Sequence, residues 1–235
     1  MLDRLDAAFD SQRRFVANAS HELRTPLTVM RTAVDVTLAK PNRTPEQYEA
    51  MAVEVRQAVA DAEALIDALL TLARSDRGPT GGEIVDLATA AEDAVDAASV
   101  AMQRAGIEVR TAFGAAETCG DRVLLERVVA NLVDNATRHN VPGGWIRVST
   151  GHDGFGVRLI VVNSGPVIPA ELVPALFEPF CRLHDRIGSE HGIGLGLPIV
   201  RSVVQNHGGV VTAEALPAGG LSCQVVLPSA HPVQR

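Results

Sequence analysis

The 235-residue chain is 46% hydrophobic and 21% charged, the make-up of a folded globular protein with room for one large or two modest cores. Its net charge of −7 and lack of any Lys/Arg cluster argue against nucleic acid as the main partner, and no apolar run approaches the ~20 residues of a membrane span. Cys119, Cys181 and Cys223 are too widely spaced for a metal or redox motif and read as free thiols in a reducing compartment.

In chain order, the first stretch predicts a helix from Leu2 to Lys40. A heptad count puts Leu2, Phe9, Val16, Leu23 and Met30 at one seam position and Leu5, Ala19 and Ala33 at the other, with Gln12 and Pro26 as exceptions. The same count aligns His21, Thr25, Thr28, Thr32 and Asp35 on the outer, polar face. Pro26 removes a helical hydrogen bond at a cost of about 3 kcal/mol, so its place beside an exposed histidine points to use of the local bend. Pro41-Asn42-Arg43 then breaks the helix and Thr44-Pro45-Glu46-Gln47 restarts one, with Thr44 as N-cap, Pro45 in the first helical position and Gln47 placed to close a capping box. Met51, Val55, Ala58, Ala62, Leu65, Leu69 and Leu72 carry the second seam to about Arg74. One hairpin cannot cover both seams; a second copy completing a four-helix bundle is the economical cover, and packing against the rest of the same chain is the alternative.

Residues 75–83, SDRGPTGGE, form a polar Gly/Pro-rich linker, which divides the chain into domains at 1–75 and 84–230 joined by 76–83. Beyond it the pattern becomes mixed α/β. Strands are predicted at 84–85, 107–113, 145–150, 157–163, 209–215 and 221–227, and helices at about 87–104, 121–140 and 195–207. In the middle helix, Leu125, Val128, Val129 and Leu132 face a core, while Asn131, Asn135 and Arg138 share one polar face at i, i+4 and i+7.

Ser20-His21-Glu22-Leu23-Arg24-Thr25-Pro26-Leu27 closely resembles the phosphoacceptor box of sensor histidine kinases of two-component systems. The chemistry agrees: imidazole is nucleophilic and mostly neutral near pH 7, and the Glu22 carboxylate can take the proton from one ring nitrogen while the other attacks a phosphoryl group. The Glu-x-x-Thr spacing also resembles the phosphatase motif of related kinases, which implies that Thr25 holds a water for the reverse reaction. Thr28, Thr32 and Asp35 continue the stripe onto the surface that a regulator must approach.

Residues 121–139 resemble the N box of the Bergerat-type ATP-binding domain. The resemblance implies that Asn135 supplies an oxygen to Mg²⁺ with Asn131 close enough to help, that Arg138 meets phosphate, and that His139 stacks beside the nucleotide. Val162-Asn163-Ser164-Gly165-Pro166-Val167-Ile168 resembles the first glycine box, with Asn163 in place of the adenine-reading Asp and Val167 in place of the second glycine. By turning its amide, Asn163 would also meet guanine, which implies weaker discrimination against GTP. Leu176-Phe177-Glu178-Pro179-Phe180 resembles the F box, packing under a lid at about 181–191. Gly192-Ile193-Gly194-Leu195-Gly196-Leu197, running into a helix, resembles the second glycine box, whose backbone N–H groups and helix dipole suit phosphate. Gly219-Gly220 fits either a third glycine element or a plain hairpin turn.

The fold implied is α+β: an antiparallel helical hairpin forming a dimeric four-helix bundle, followed by an α/β sandwich that binds ATP and Mg²⁺. The implied protein is a homodimeric histidine kinase that phosphorylates His21 and passes the phosphoryl group to an aspartate of a cognate response regulator. In that family an upstream, membrane-anchored sensor segment precedes such a core, which itself lies in the cytoplasm; the abrupt start within an amphipathic helix agrees. The alternatives are an ATP hydrolase or clamp of the same superfamily and a degenerate kinase acting as a dimeric scaffold, the latter supported by Asn163 and Val167.

Overall fold

The computed structural model describes residues 2–75, 82–152, 154, 156–181 and 193–230, with side chains in the first helix from Gln12 onward. These residues fall into two compact units whose boundary lies inside a helix, between Leu70 and Thr71.

The first unit is a hairpin of α1 (Leu2–Ala39) and α2 (Pro45–Ser75, of which the part to Leu70 belongs here). Its turn is held by Arg43, whose guanidinium donates to Leu38 O at 2.5 Å and to the Tyr48 hydroxyl at 3.4 Å. Ala33 and Thr37 of α1 and Ala58, Leu65 and Ala68 of α2 are buried, and Ala19, Leu23, Met30, Met51, Val55, Ala62 and Leu69 are half-buried, so the seam positions form the inner face. Two expectations are corrected. Val16 is 57% exposed; with Leu27 and Leu38 it forms a separate apolar stripe at eleven-residue spacing, three turns of an undistorted helix, on a face the hairpin does not cover. The capping box is not closed by Gln47, whose Oε1 is buried without a partner. Glu46 takes the hydrogen bond of the Thr44 side chain instead, and that bond holds its carboxyl below the usual range.

The second unit contains β1 (Glu83–Asp86), α3 (Leu87–Arg104), β2 (Glu108–Phe113), β3 (Glu117–Gly120), α4 (Arg122–Arg138), β4 (Trp145–His152), β5 (Val157–Asn163), α5 (Gly196–Asn206), β6 (Val210–Ala215) and β7 (Leu221–Leu227). Five strands form one sheet in the order β2-β4-β5-β7-β6, with only β2 and β4 parallel. Alternation sets its inner face. Ile146 and Val148 of β4, Leu159 and Val161 of β5, and Cys223 and Val225 of β7 are buried, and with Leu125, Val128, Val129 and Leu132 of α4 and Ile199, Val200, Val203 and Val204 of α5 they make the core. Burial pushes the Cys223 thiol up to about 12. Asn163, two residues beyond Val161, ends this inward row and is 4% exposed, so a polar side chain is delivered to the helix side of the sheet.

The strand β3 escapes the sequence pattern: its four residues ETCG carry no apolar alternation, yet it pairs antiparallel with β1. Ser75, read as the first residue of the linker, is the last residue of α2 and is 1% exposed.

His207, at the end of α5, fastens the start of α4. Its Nδ1 donates to Val203 O at 2.8 Å and its Nε2 accepts the Asp121 N–H at 3.1 Å, while the Asp121 carboxylate caps α4 by accepting from Leu124 N at 3.2 Å. Among the glycines, Gly220 has a φ of +105°, and a Cβ there would run into Asn163 O. Gly220→Ala is therefore expected to destabilise the protein by about 3 kcal/mol, read as a lower midpoint of urea unfolding; a loss below about 1 kcal/mol would show that the loop can yield.

Candidate functional site

Two clusters of the expected residues take shape, one in each unit. On α1, His21, Thr25, Thr28, Thr32 and Asp35 are all exposed, whereas Glu22, next to His21, is half-buried. His21, Arg24, Thr25, Thr28 and Val29 line a depression of ≈ 280 Å³. Around Pro26, which stands inside an unbroken helix, hydroxyls lean back on the main chain: Ser20 Oγ donates to Val16 O at 2.8 Å, Thr28 Oγ1 to Arg24 O at 2.8 Å, and Thr25 Oγ1 to His21 O at a long 3.4 Å. Thr25 thus keeps its hydroxyl one turn from the imidazole with only a weak tie.

In the second unit, α4 and α5 run antiparallel, with Asp121 beside His207 at one end and Asn131 beside Gly196 at the other. A Cβ on Gly196 would come within 4.0 Å of Asn131 Oδ1, so the start of α5 and the polar face of α4 meet with no side chain between them. The first turn of α5 has no side-chain cap, which leaves the N–H groups of Gly196 and Leu197 to an acceptor from outside the helix. Asn131 Nδ2 is buried without a partner, and one turn earlier so is Arg127 Nε. Asn135 is half-buried on the same stripe. Arg138 is held by Asp134, Nε to Oδ1 at 2.7 Å, in an exposed pair.

Buried donors without acceptors on α4, beside the uncapped start of α5, fit a ligand that is all acceptor, such as a chain of phosphates. The amide oxygens of Asn131 and Asn135 fit Mg²⁺ shared with such phosphates, because Mg²⁺ takes hard oxygens and keeps most of its waters. Among the described residues no group of three or more His, Cys, Asp or Glu could hold a metal ion alone.

The first glycine box lies at the C-terminal end of α4, beyond Asn135 and Arg138. A Cβ on Gly165 would approach His139 O to 2.6 Å, and a Cβ on Gly219 would run into Gly165 O, so this loop is clasped between the end of α4 and Gly219-Gly220. Gly220 N also donates to Pro166 O at 3.0 Å. Gly219-Gly220 is therefore more than a turn between β6 and β7. Asn163 Nδ2 donates to Ser164 O at 2.7 Å, which uses one of its two N–H groups and in this orientation leaves Oδ1 to accept. Turning the amide towards a guanine would break that bond.

The second glycine box is held by the F box. Phe180, at a φ of +64°, donates its N–H to Gly194 O at 3.0 Å, and Gly194, at +71°, has no space for a side chain against Phe180 and Cys181. Leu197 is buried, so only its backbone can serve a ligand. Gly192 and the lid at 182–191 lie outside the described residues.

Sequence reasoning missed Arg127, although it extends the stripe of Asn131, Asn135 and Arg138 by one step of four. It also missed the brace formed by Asn140 and Ser164. Ser164 Oγ donates to Asn140 Oδ1 at 2.7 Å and accepts from Trp145 N at 2.7 Å, while Asn140 Nδ2 donates to Trp145 O at 3.2 Å. No periodicity announces hydrogen bonds between residues so far apart.

The clasped glycine loops, the polar face of α4 and the bare start of α5 define a phosphate-binding α/β unit, carried on the same chain as an exposed helical histidine. Residues 120–231 match the model of the histidine kinase-, DNA gyrase B- and HSP90-like ATPase family, and residues 11–78 match the His Kinase A (phospho-acceptor) domain. The chain is 46% identical over 230 residues to the sensor protein CutS of Streptomyces coelicolor, covering 97% of this chain and 55% of CutS. It is 35% identical over 238 residues to the signal transduction histidine-protein kinase/phosphatase MprB of Mycolicibacterium paratuberculosis, covering 97% and 45% respectively. A solved structure of a mycobacterial sensor histidine kinase MprB superposes with a TM-score of 0.54 at 32% identity, over 63% of this chain and 97% of that one. The chain belongs to the sensor histidine kinase family, and it spans about half the length of these full-length relatives.

His139 caps α4 beside the first glycine box. Partial desolvation lowers its pKa most, Asp134 opposes this and Arg138 adds to it, so the ring stays neutral near pH 7. A histidine pKa lowered by folding contributes stability that is complete above the unfolded value of about 6.5 and is lost as pH falls through the folded value. His139→Gln should therefore lose less stability than wild type when unfolding is followed from pH 7 down to pH 5; parallel curves would refute this.

Proposed function

We propose that this chain is the catalytic core of a sensor histidine kinase that transfers the γ-phosphoryl group of ATP to His21 and then to an aspartate of a response regulator. The observation that carries the reading is one chain joining an exposed His21 in its own depression to a phosphate cradle of unpartnered donors. ATP with Mg²⁺, when bound, supplies the phosphoryl group and the neutralising charge. Arg127, Asn131 and the first N–H groups of α5 receive the phosphates, Asn135 and Asn131 hold the metal through their amide oxygens, and Arg138 assists from its pair with Asp134. Asn163 accepts from the adenine amine, Gly165 lets the base approach and His139 stacks at the edge; Gly192, Gly194 and Gly196 shape the loop around the phosphates. Glu22 takes the proton from His21, whose free ring nitrogen attacks.

The domains divide at 1–75, 76–83 and 84–230. A second copy of the chain covers the apolar residues left open on the hairpin, Val16, Leu27 and Leu38 on α1 and Val59, Ile66 and Leu70 on α2, completing a four-helix bundle. The name of MprB, a kinase/phosphatase, supports a reverse activity here, with Thr25 orienting water. In the full-length protein an upstream sensor anchored in the membrane would place this part in the cytoplasm.

Incubation with γ-labelled ATP is expected to place acid-labile, alkali-stable label on His21. His21→Ala should carry none, and Glu22→Gln should slow labelling by about a hundredfold with nucleotide affinity unchanged. Turnover of ATP without label would favour a hydrolase, and neither would favour a scaffold. A second test concerns the base. Because Ser164 O holds the Asn163 amide nitrogen, the wild-type protein should prefer ATP to GTP by at least tenfold, and Asn163→Asp should tighten ATP by about five- to tenfold. Equal affinities for ATP and GTP would remove Asn163 from base reading.

A further inference from the structure

Helix α2 runs without a break from Pro45 to Ser75 and crosses the boundary between the two units. Its last turn, from Thr71, belongs to the unit that carries α5. Ser75 Oγ is bonded to Leu72 O at 2.8 Å, within its own helix, which already satisfies its only proton. A buried serine at a helix end needs nothing more. Yet Ser75 Oγ also lies 2.7 Å from Ser202 Oγ, a residue 127 positions away on α5, and with its own proton committed Ser75 accepts that of Ser202.

Besides the His207–Asp121 bond at its far end, α5 and its entry have three further ties among the described residues. Phe180 N–H bonds to Gly194 O, Arg201 pairs with Glu178 at 3.5 Å, and Ser202 bonds to Ser75. The first two come from the F box, and the Arg201–Glu178 pair is exposed and weak. Among these ties only the third comes from α2. Ser202 lies six residues beyond Gly196, roughly 9 Å along a rigid helix from the glycine loop. A serine oxygen sits about 4 Å from its helix axis, so turning α2 by roughly 30° displaces Ser75 Oγ by about 2 Å, enough to break the bond.

We propose that the Ser75–Ser202 hydrogen bond is the joint through which helix α2 positions α5, and with it the phosphate-holding loop at Gly194–Gly196. Both serines are positioning residues, acting through α5. The proposal rests on the reading above that α5 opens the phosphate site.

The test uses Ser75→Ala, Ser202→Ala, the double variant and Ser202→Thr, which keeps the hydroxyl. Each alanine variant should lower the autophosphorylation rate about five- to tenfold, the factor one hydrogen bond is worth. Affinity for a fluorescent ATP analogue should stay within about twofold. The double variant should be no slower than either single one, and Ser202→Thr should stay near wild type. Hydrogen exchange at the amides of Gly196–Val200 should quicken in the alanine variants and not in Ser202→Thr. Losses that multiply in the double variant, a Thr variant as slow as Ala, an unchanged or raised rate, or unchanged exchange would each overturn the joint. If wild type places no label on His21, the functional reading fails, while the exchange data still decide whether the joint exists.

Discussion

The second unit depends on one crowded meeting of backbones at the end of β5. Asn163 leaves the inner row of the sheet, and within three residues the chain is hemmed in by His139 O from α4 on one side and Gly219-Gly220 on the other. Four features have to coincide there: an inward parity, a loop of small residues, a helix end and a turn with two positive φ values. Backbone packed this closely has no side chains to repack, so its geometry is stiff, and the brace of Ser164, Asn140 and Trp145 stiffens it further. The Asn163 side chain, which we propose reads the base, is held here by main-chain contacts.

The residues proposed to meet the phosphates follow a different logic. Arg127 Nε and Asn131 Nδ2 are buried donors left without acceptors, an arrangement that costs stability and that a polyanion would relieve. Both ends of α4 are therefore closed and satisfied, and the unsatisfied donors lie on its middle turns. His207, which ties the start of α4 to the end of α5, keeps those two helices in a common frame.

What the sequence made legible follows from how far each signal reaches along the chain. The helices and the long strands are written in local periodicity, as in Met51 to Leu72 or Leu159-Val161-Asn163, and the glycine boxes in local composition. Strand β3 was invisible because ETCG owes its conformation to β1, more than thirty residues earlier. Val16 was misplaced because a heptad count cannot tell which of two apolar stripes the hairpin itself covers. Ser75 looked like linker because its composition matched its neighbours; its burial comes from α5. In the site, the stripe on α4 could be read and should have been read one turn further, to Arg127. The brace at Asn140 could not be read, since it joins residues that only the fold brings together.

The three thiols are placed so that they report on different parts of the molecule. Thiolate is the reactive form, and Cys223, buried in the sheet with its pKa pushed to about 12, is silent towards electrophiles near neutral pH. Cys119 is exposed on a strand remote from the glycine loops, and Cys181, partly accessible, abuts Gly194 through its own carbonyl. Replacing Cys119 alone would leave a single accessible native sulfur beside the glycine loop at Gly194, where a small fluorophore would register movement of that loop without any engineered cysteine.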